Sequence, residues 1–332
     1  MLSDLIQYTE KNQATYASKG YRGLNVFGKV KFYQILRKNN KTLNQFYADA
    51  LNKKECFIGP FIGEFGNFLL HLLPFISHLN EKGVKVNYCG LELHRPFLVN
   101  SKGEHFLYNY VALRDFFKEV KPSGNGIKNL PDDVQAEVDK FVTEARSGKL
   151  PFLDIYGDRD LYWYSYRNWQ LNGKQHIYNL SQVYAPSGKQ NKLVIFPRKM
   201  VKEFTPNNGG VWDYAELGEE LTNYFDEVVF IGHPELSSFE EKKHDKIRYC
   251  VTGDNKDVLE ECATARLILT QHSGAMHVGG FVHTPVLLIF KGDPPIKGLD
   301  DSIRFRQNFD YNKVNLVFNK EGILEFIIKL NS

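Results

Sequence analysis

The chain has 332 residues, 42% of them hydrophobic and 24% charged, and a formal net charge of +3. That balance supports a buried core, suits two lobes of ordinary domain size and excludes a disordered chain. So small a charge gives no ground for a nucleic-acid partner, which would call for a strong basic patch or stripe; a local basic pocket for one small anion stays open.

Residues 1 to about 50 are polar with scattered aromatics (Tyr16, Tyr21, Phe32, Tyr33) and read as a helical lead-in. Cys56-Phe57-Ile58-Gly59-Pro60 is a short apolar run ending in turn residues, the pattern of a buried strand. Gly63-Glu64-Phe65-Gly66 reads as a loop. From Asn67 to Leu79 the apolar residues Phe68, Leu72, Phe75, Ile76 and Leu79 fit a helical stripe, with Pro74 expected to kink it or break one backbone bond. After Gly83, the run Val84 to Cys89 reads as a second strand. Strand, glycine loop, helix and strand make a βαβ unit and imply a parallel sheet.

The middle is less regular. Residues 121–126 are a loop and Asp132 to Ser147 an exposed amphipathic helix. Residues 156–169 are dense in aromatics; Tyr162, Trp163, Tyr164, Tyr166 and Trp169 either stack on sugar rings or pack a core at a domain junction. Ala185 to Asn191 is small and polar, the best interlobe linker. Beyond it, strands and helices alternate: strand Lys192–Phe196, helix Trp212–Phe225, strand Val228–Ile231, a helix whose start carries Asp257 and Glu260 near capping-box spacing, strand Leu267–Thr270, a short helix from Ala275 to Phe281, strand Val286–Phe290 and a last helix from Glu321 to Leu330. This lobe too reads as doubly wound.

The four cysteines (Cys56, Cys89, Cys250, Cys262) form no C-x-x-C pair and lie beside apolar runs, which suggests reduced, mostly buried thiols rather than a zinc site. Met1 to Lys11 lacks the plan of a signal peptide, and no stretch is apolar for long enough to span a bilayer. The expected location is cytoplasmic, with peripheral contact at a membrane surface left open.

The most informative stretch is LTQHSGAMHVGGFVHTPVLLIF, residues 269–290. It is a strand, a tight polar turn and a helix start, and ligands of open α/β sheets bind outside the carboxyl ends of such strands. Ser273 and Gly274 would let a phosphate approach free N–H groups, with His272 and His277 as further donors. Ser273 as a simple helix cap is the other reading, and the two are compatible.

This stretch resembles the donor-binding motif of GT-B glycosyltransferases, especially the heptosyltransferase type. That family shows a strand, Asn-Asp-Ser/Thr-Gly-Pro-Met-His, a helix, then Thr/Lys-Pro-Val and an apolar strand. Here Gln271-His272-Ser273-Gly274-Ala275-Met276-His277 follows the strand, and Thr284-Pro285-Val286 comes at the matching distance. His272 stands where the family has an acidic residue. Lys291-Gly292-Asp293-Pro294 resembles the loop after the family's last core strand. Ile62-Gly63-Glu64 and Leu73-Pro74 resemble its first loop and helix, at slightly longer spacing.

The resemblance implies an α/β fold of two Rossmann-like doubly wound domains facing a cleft, GT-B, with an acceptor-side domain at 1–186 and a nucleotide-sugar-binding domain at 187–332. It implies a transferase moving a sugar from a nucleotide-sugar donor to a hydroxyl of a glycan or lipid-linked glycan. Arg198 and Lys199 would face the leaving diphosphate, where fixed positive charge lowers the barrier and an Arg fork fits phosphate; otherwise they are exposed charge at a strand end. Gly232, His233, His272, Ser273, Gly274, Met276 and His277 complete the expected donor site. Glu64 would take the acceptor's proton as it attacks, or else complement a helix dipole. Gly63, His94 and Arg95 are the expected acceptor contacts. Inverting transfer rests on Glu64. No metal or other cofactor is expected, since Asp158-Arg159-Asp160 reads as an accidental D-x-D. A nucleotide-sugar epimerase or hydrolase of the same fold, and a non-catalytic nucleotide- or glycan-binding protein, are the alternatives. No G-x-G-x-x-G opens a βαβ unit, which argues against a dinucleotide dehydrogenase.

Overall fold

The computed structural model describes residues 25–63, 65–100, 102–116, 119–120, 129–156, 188–197, 212–234, 241–271, 274–289, 314–317 and 319–331. The chain divides into two compact units, one of Met1–Leu98 with His105–Tyr178 and one of Val99–Glu104 with Asn179–Ser332.

The first unit is entered by a 28-residue helix, α1 (Val26–Lys53). Asn25 caps it by accepting the Gly28 N–H at 2.9 Å, and Lys54 ends it in the left-handed region at φ 60°. Four strands follow: β1 (Glu55–Phe61), β2 (Lys85–Leu91), β3 (Asn109–Leu113) and β4 (Phe152–Asp154). They lie in the order β3-β2-β1-β4, and every pairing is parallel. Six of the seven residues in β1 and in β2 are buried, as expected of parallel strands covered on both faces.

One face is closed by α4 (Asp132–Ser147), whose bounds match the sequence expectation. It buries Val134, Val138, Phe141 and Ala145, a stripe spaced four, three and four, against Phe57, Cys89, Leu91 and Leu113. Each Val, Leu or Phe among these contributes about 1.5–3 kcal/mol through burial. The other face meets a helical run whose geometry changes midway. A three-residue α2 (Phe65–Asn67) opens into a π turn (Phe68–Leu72) and then α3 (Leu73–Glu81). Pro74 lies in the first turn of α3, where its missing N–H would have had no partner within that helix. The expected break is therefore real and takes the form of a π turn.

Two local expectations change. The Gly63–Gly66 loop is shorter, because Phe65 and Gly66 are helical. Gly59-Pro60 does not end β1: the register with β2 shifts between Ile58 and Phe61, and the strand continues to Phe61. Gly59 makes this workable. Its φ is +117°, and a Cβ there would lie 2.5 Å from the Cys89 carbonyl oxygen.

The second unit holds β5 (Lys192–Phe196), α5 (Tyr214–Leu221), β6 (Glu227–Gly232), β7 (Ile247–Val251), α6 (Asn255–Thr264), β8 (Leu267–Thr270), α7 (Ala275–Phe281), β9 (Val286–Ile289), β10 (Val314–Val317) and α8 (Lys320–Asn331). The sheet order is β10-β9-β8-β5-β6-β7, all parallel. Counted within the unit this is the Rossmann order 3-2-1-4-5-6. Alternate side chains divide the sheet. Leu193, Ile195, Val228, Phe230, Leu267, Leu269, Leu287 and Ile289 pack with Leu217 and Leu221 of α5 and Ile323 and Ile327 of α8. On the opposite face α7 comes so close that a Cβ on Gly279 would lie 2.3 Å from Val286 Cγ2. Helices on both faces make the unit doubly wound.

The cap of α6 differs from expectation. Asp254, not Asp257, holds the N-cap, accepting from Lys256 N at 2.8 Å, and Asp257 accepts from Thr252 Oγ1 at 2.9 Å. The free cysteines are as expected: Cys56, Cys89 and Cys262 are buried and Cys250 partly so. Burial pushes the Cys56 and Cys89 thiols up to about 12, which keeps them protonated and unreactive. The aromatic residues 162–169 and Asp158-Arg159-Asp160 lie outside the described residues.

Candidate functional site

In the second unit the sheet runs outward in both directions from β5 and β8, its topological switch point. Their register ends with Phe196 opposite Thr270, so the chain leaves the two strands side by side. Pro197 and then Arg198 follow one strand; Gln271, then His272 and Ser273, follow the other. Because all strands are parallel, Gly232 and His233, at the end of the neighbouring β6, share this edge. Rossmann sheets bind ligands there, beyond the carboxyl ends of the strands at the switch point.

The exit from β8 is held from two sides. Gln271 is fully buried. Its side-chain oxygen accepts from Tyr214 Oη at 2.7 Å, and its backbone carbonyl accepts from Thr270 Oγ1 at 2.9 Å. Tyr214 opens α5 and is itself 7% exposed. Asp213 fixes that helix start by accepting from Glu216 N at 2.9 Å. The bond therefore ties the start of α5 to the residue that leaves β8. Sequence reading missed this pair, because neither residue belongs to a local pattern and their contact spans 57 positions. Removing the hydroxyl leaves a buried acceptor short of a partner, so Tyr214→Phe is expected to cost about 1–3 kcal/mol. A lowered melting temperature checks this, and an unchanged one would count against the bond as a structural tie.

Glu64, Arg198, Lys199, His272 and Ser273 lie outside the described residues. Gly274 occupies the N-cap position of α7, so no side chain caps that helix there. Met276 is fully buried and His277 is 6% exposed. Both are packed side chains of α7, which sets where the turn before it ends. Gly232 is the last residue of β6 and accepts from Thr252 N at 2.9 Å. His233 is half-buried.

In the first unit the switch point falls between β1 and β4. Ile62 and Gly63 leave β1 there, carrying the chain to Glu64. A 3-10 turn (Glu92–Phe97) follows β2 directly and holds the other two expected acceptor contacts. His94 is a correction. It is completely buried, stacked on Phe68 of the π turn at 3.9 Å and 13°, with Nδ1 bonded to Tyr88 Oη at 3.0 Å. Burial lowers its pKa to about 3, so the ring is neutral and structural. Arg95 sits at the surface, but its fork is engaged: Nη2 donates to Glu92 at 2.9 Å and the guanidinium lies 4.9 Å from the Tyr110 ring centre. Of the three, Gly63 alone has no such tie among the described residues.

No family model and no curated protein matches the chain. Solved structures do. The E. coli heptosyltransferase WaaC with ADP is 9% identical, covers 83% of this chain and 99% of its own, and superposes with a TM-score of 0.50. The fold is GT-B. A glycosyl transferase family 9 structure from Veillonella parvula is 11% identical over 84% of this chain and 89% of its own, at a TM-score of 0.48. The E. coli ADP-heptose lps heptosyltransferase II is 13% identical over 84% and 99%, at 0.45.

Proposed function

We propose that the chain is a GT-B glycosyltransferase that moves a sugar from a nucleotide-sugar donor to a hydroxyl of a glycan or lipid-linked glycan. One observation carries the reading. The chain leaves β8 at Gln271 beside the end of β5, at the switch point of a Rossmann-ordered sheet. The GT-B likeness to a heptosyltransferase structure holding ADP supports a nucleoside diphosphate donor at that edge.

In this reading Ser273 and the backbone at Gly274 take the diphosphate, with His272, His233 and Gly232 alongside. Arg198, aided by Lys199, offsets the charge that grows on the leaving diphosphate as the glycosidic carbon–oxygen bond breaks. Met276 and His277 act by holding α7 rather than by touching the donor. Glu64 accepts the proton of the attacking hydroxyl, and the transfer inverts the anomeric centre. Side-chain cations and backbone N–H groups supply the positive field, so the reaction needs no metal. The working place is the cytoplasm, with peripheral contact to a membrane and no nucleic-acid partner.

Thermal unfolding with UDP, GDP, ADP, CMP and their sugars, each with and without magnesium, tests this directly. A ligand that binds only the folded chain raises the melting temperature, by about 2.7 kcal/mol of stabilisation at one hundred times Kd. One selective diphosphate, indifferent to magnesium, is the expected result. With that donor, Glu64→Gln should lower turnover about 10²–10⁴-fold and keep the thermal shift. Equal turnover in wild type and variant would remove Glu64 as the base. Consumption of donor without any acceptor would point to a hydrolase or epimerase instead, and no shift at millimolar concentration with any nucleotide would sink the reading.

A further inference from the structure

Charge is unevenly placed along the chain. Residues 11–48 hold eight of its 42 basic residues and none of its 39 acidic ones, so the remainder is net acidic. Most of that segment is α1, and the helix sorts it by face. At 100° per residue, Phe27, Lys31, Gln34, Lys38, Lys41 and Gln45 fall on one line, spaced four, three, four, three and four. All six are exposed, Phe27 at 85%. Val26, 60% exposed, adds a second apolar group at the same end, and Arg37 flanks the stripe. Among the described residues Lys31, Lys38 and Lys41 have no carboxylate partner.

The opposite face is already used. Leu43, Phe46 and Ala50 are buried, Phe46 lies 6.2 Å from Phe75, and Tyr47 Oη meets His78 Nε2 at 2.9 Å. The helix is thus anchored through its C-terminal half. Its outward line carries basic side chains with an aromatic and a β-branched residue at one end.

We propose that this face of α1 docks the protein on an anionic lipid surface. Lysine ammonium groups meet lipid phosphates as point charges, and each near the surface strengthens binding by roughly fivefold. Phe27 and Val26 enter the headgroup–acyl boundary, as the apolar residues of interfacial helices do. The two apolar groups favour lipid over nucleic acid: a phosphodiester backbone rewards the lysines alone, and a base stacked on Phe27 would leave Val26 unused. A basic, partly apolar helix face is the pattern of membrane-surface segments. The proposal rests on the reading of a membrane-side acceptor for its purpose only, because vesicle binding is measured without donor or acceptor and its failure leaves sugar transfer standing.

The full chain is mixed with phosphatidylcholine vesicles, pure or with a third phosphatidylglycerol, and bound protein is read by flotation at low and high salt. Binding should appear on the anionic vesicles alone and fall as salt rises. Lys31→Gln/Lys38→Gln/Lys41→Gln should weaken it on the order of 100-fold, and Phe27→Ser severalfold, with the melting temperatures of both variants at the wild-type value. The solvent-facing positions make misfolding a small risk; Lys31→Glu alone serves as the second variant and should also weaken binding. Equal binding to neutral vesicles, no binding to either, or full binding by the triple variant each overturns the proposal. So does a single-stranded RNA that binds at the same salt while vesicles do not, which would assign the face to nucleic acid.

Discussion

Arg198→Ala is expected to remove the thermal shift given by the preferred nucleoside diphosphate and to lower kcat/KM about 10²–10³-fold, the usual cost of deleting one group that stabilises developing negative charge. The unliganded melting temperature should stay near that of the wild type, which separates lost binding from lost folding. Phe196 is paired with Thr270, Arg198 comes two residues later, and Ser273 comes three residues after Thr270. If the proposed diphosphate lies at this edge, the segments that leave β5 and β8 both start beside it. Arg198→Lys separates charge from geometry. It keeps the cation and loses the fork that matches two phosphate oxygens, so an intermediate loss is expected. Wild-type kinetics and an unchanged thermal shift in Arg198→Ala would show that the diphosphate does not meet this residue.

The sequence made visible those elements whose pattern is local. β5, β8 and β9 are unbroken apolar runs between turn residues, and α4 carries its stripe and its acidic start within one window. β7 lacks that signal because it is an edge strand with no fully buried residue. β10 is four residues long, and β3 has one buried residue, Leu113. Asp254 rather than Asp257 caps α6 because capping depends on where the helix begins, and composition fixes that only to within a few residues. In the candidate site, the strand Leu267–Thr270 that leads to it was legible from its residues. Its place beside β5 was not, since 75 positions separate Phe196 from Gln271 and the strand order alone makes them neighbours. His94 failed for the same reason. A histidine in Glu-Leu-His-Arg-Pro reads as polar and exposed, whereas its burial comes from Phe68 and Tyr88, which the π turn and β2 bring to it.

Lys192→Ala is expected to destabilise the second unit by about 3 kcal/mol, the cost of removing one partner from a buried ion pair, and to lower the melting temperature by about 6–12 °C. Lys192 opens β5 and is 4% exposed. Its Nζ donates to Glu261 Oε2 at 2.7 Å and to Thr264 Oγ1 at 2.6 Å. The other oxygen of Glu261 meets Arg248 at 2.8 Å, and Arg248 reaches Glu227 at 2.8 Å. Burial alone would raise the Glu261 pKa, but the hydrogen bonds from Lys192 and Arg248 outweigh it and hold the carboxyl below its ordinary value. A carboxylate whose folded pKa is depressed contributes stability that is complete above the unfolded value and is lost as pH falls through the folded one. Wild-type stability should therefore decline below the ordinary carboxylate range, and Lys192→Ala should flatten that decline. Lys192→Met with Glu261→Leu should recover much of the loss, because an apolar pair of similar volume avoids leaving a buried carboxylate with one of its two cations gone; if the double variant is no better than Lys192→Ala, the loss comes from packing and not from the half-paired carboxylate. The network spans the amino ends of β5 and β6, while the proposed nucleotide edge lies at their carboxyl ends. Lys192→Ala should accordingly lower the melting temperature and keep the nucleotide-induced rise, whereas Arg198→Ala should do the reverse.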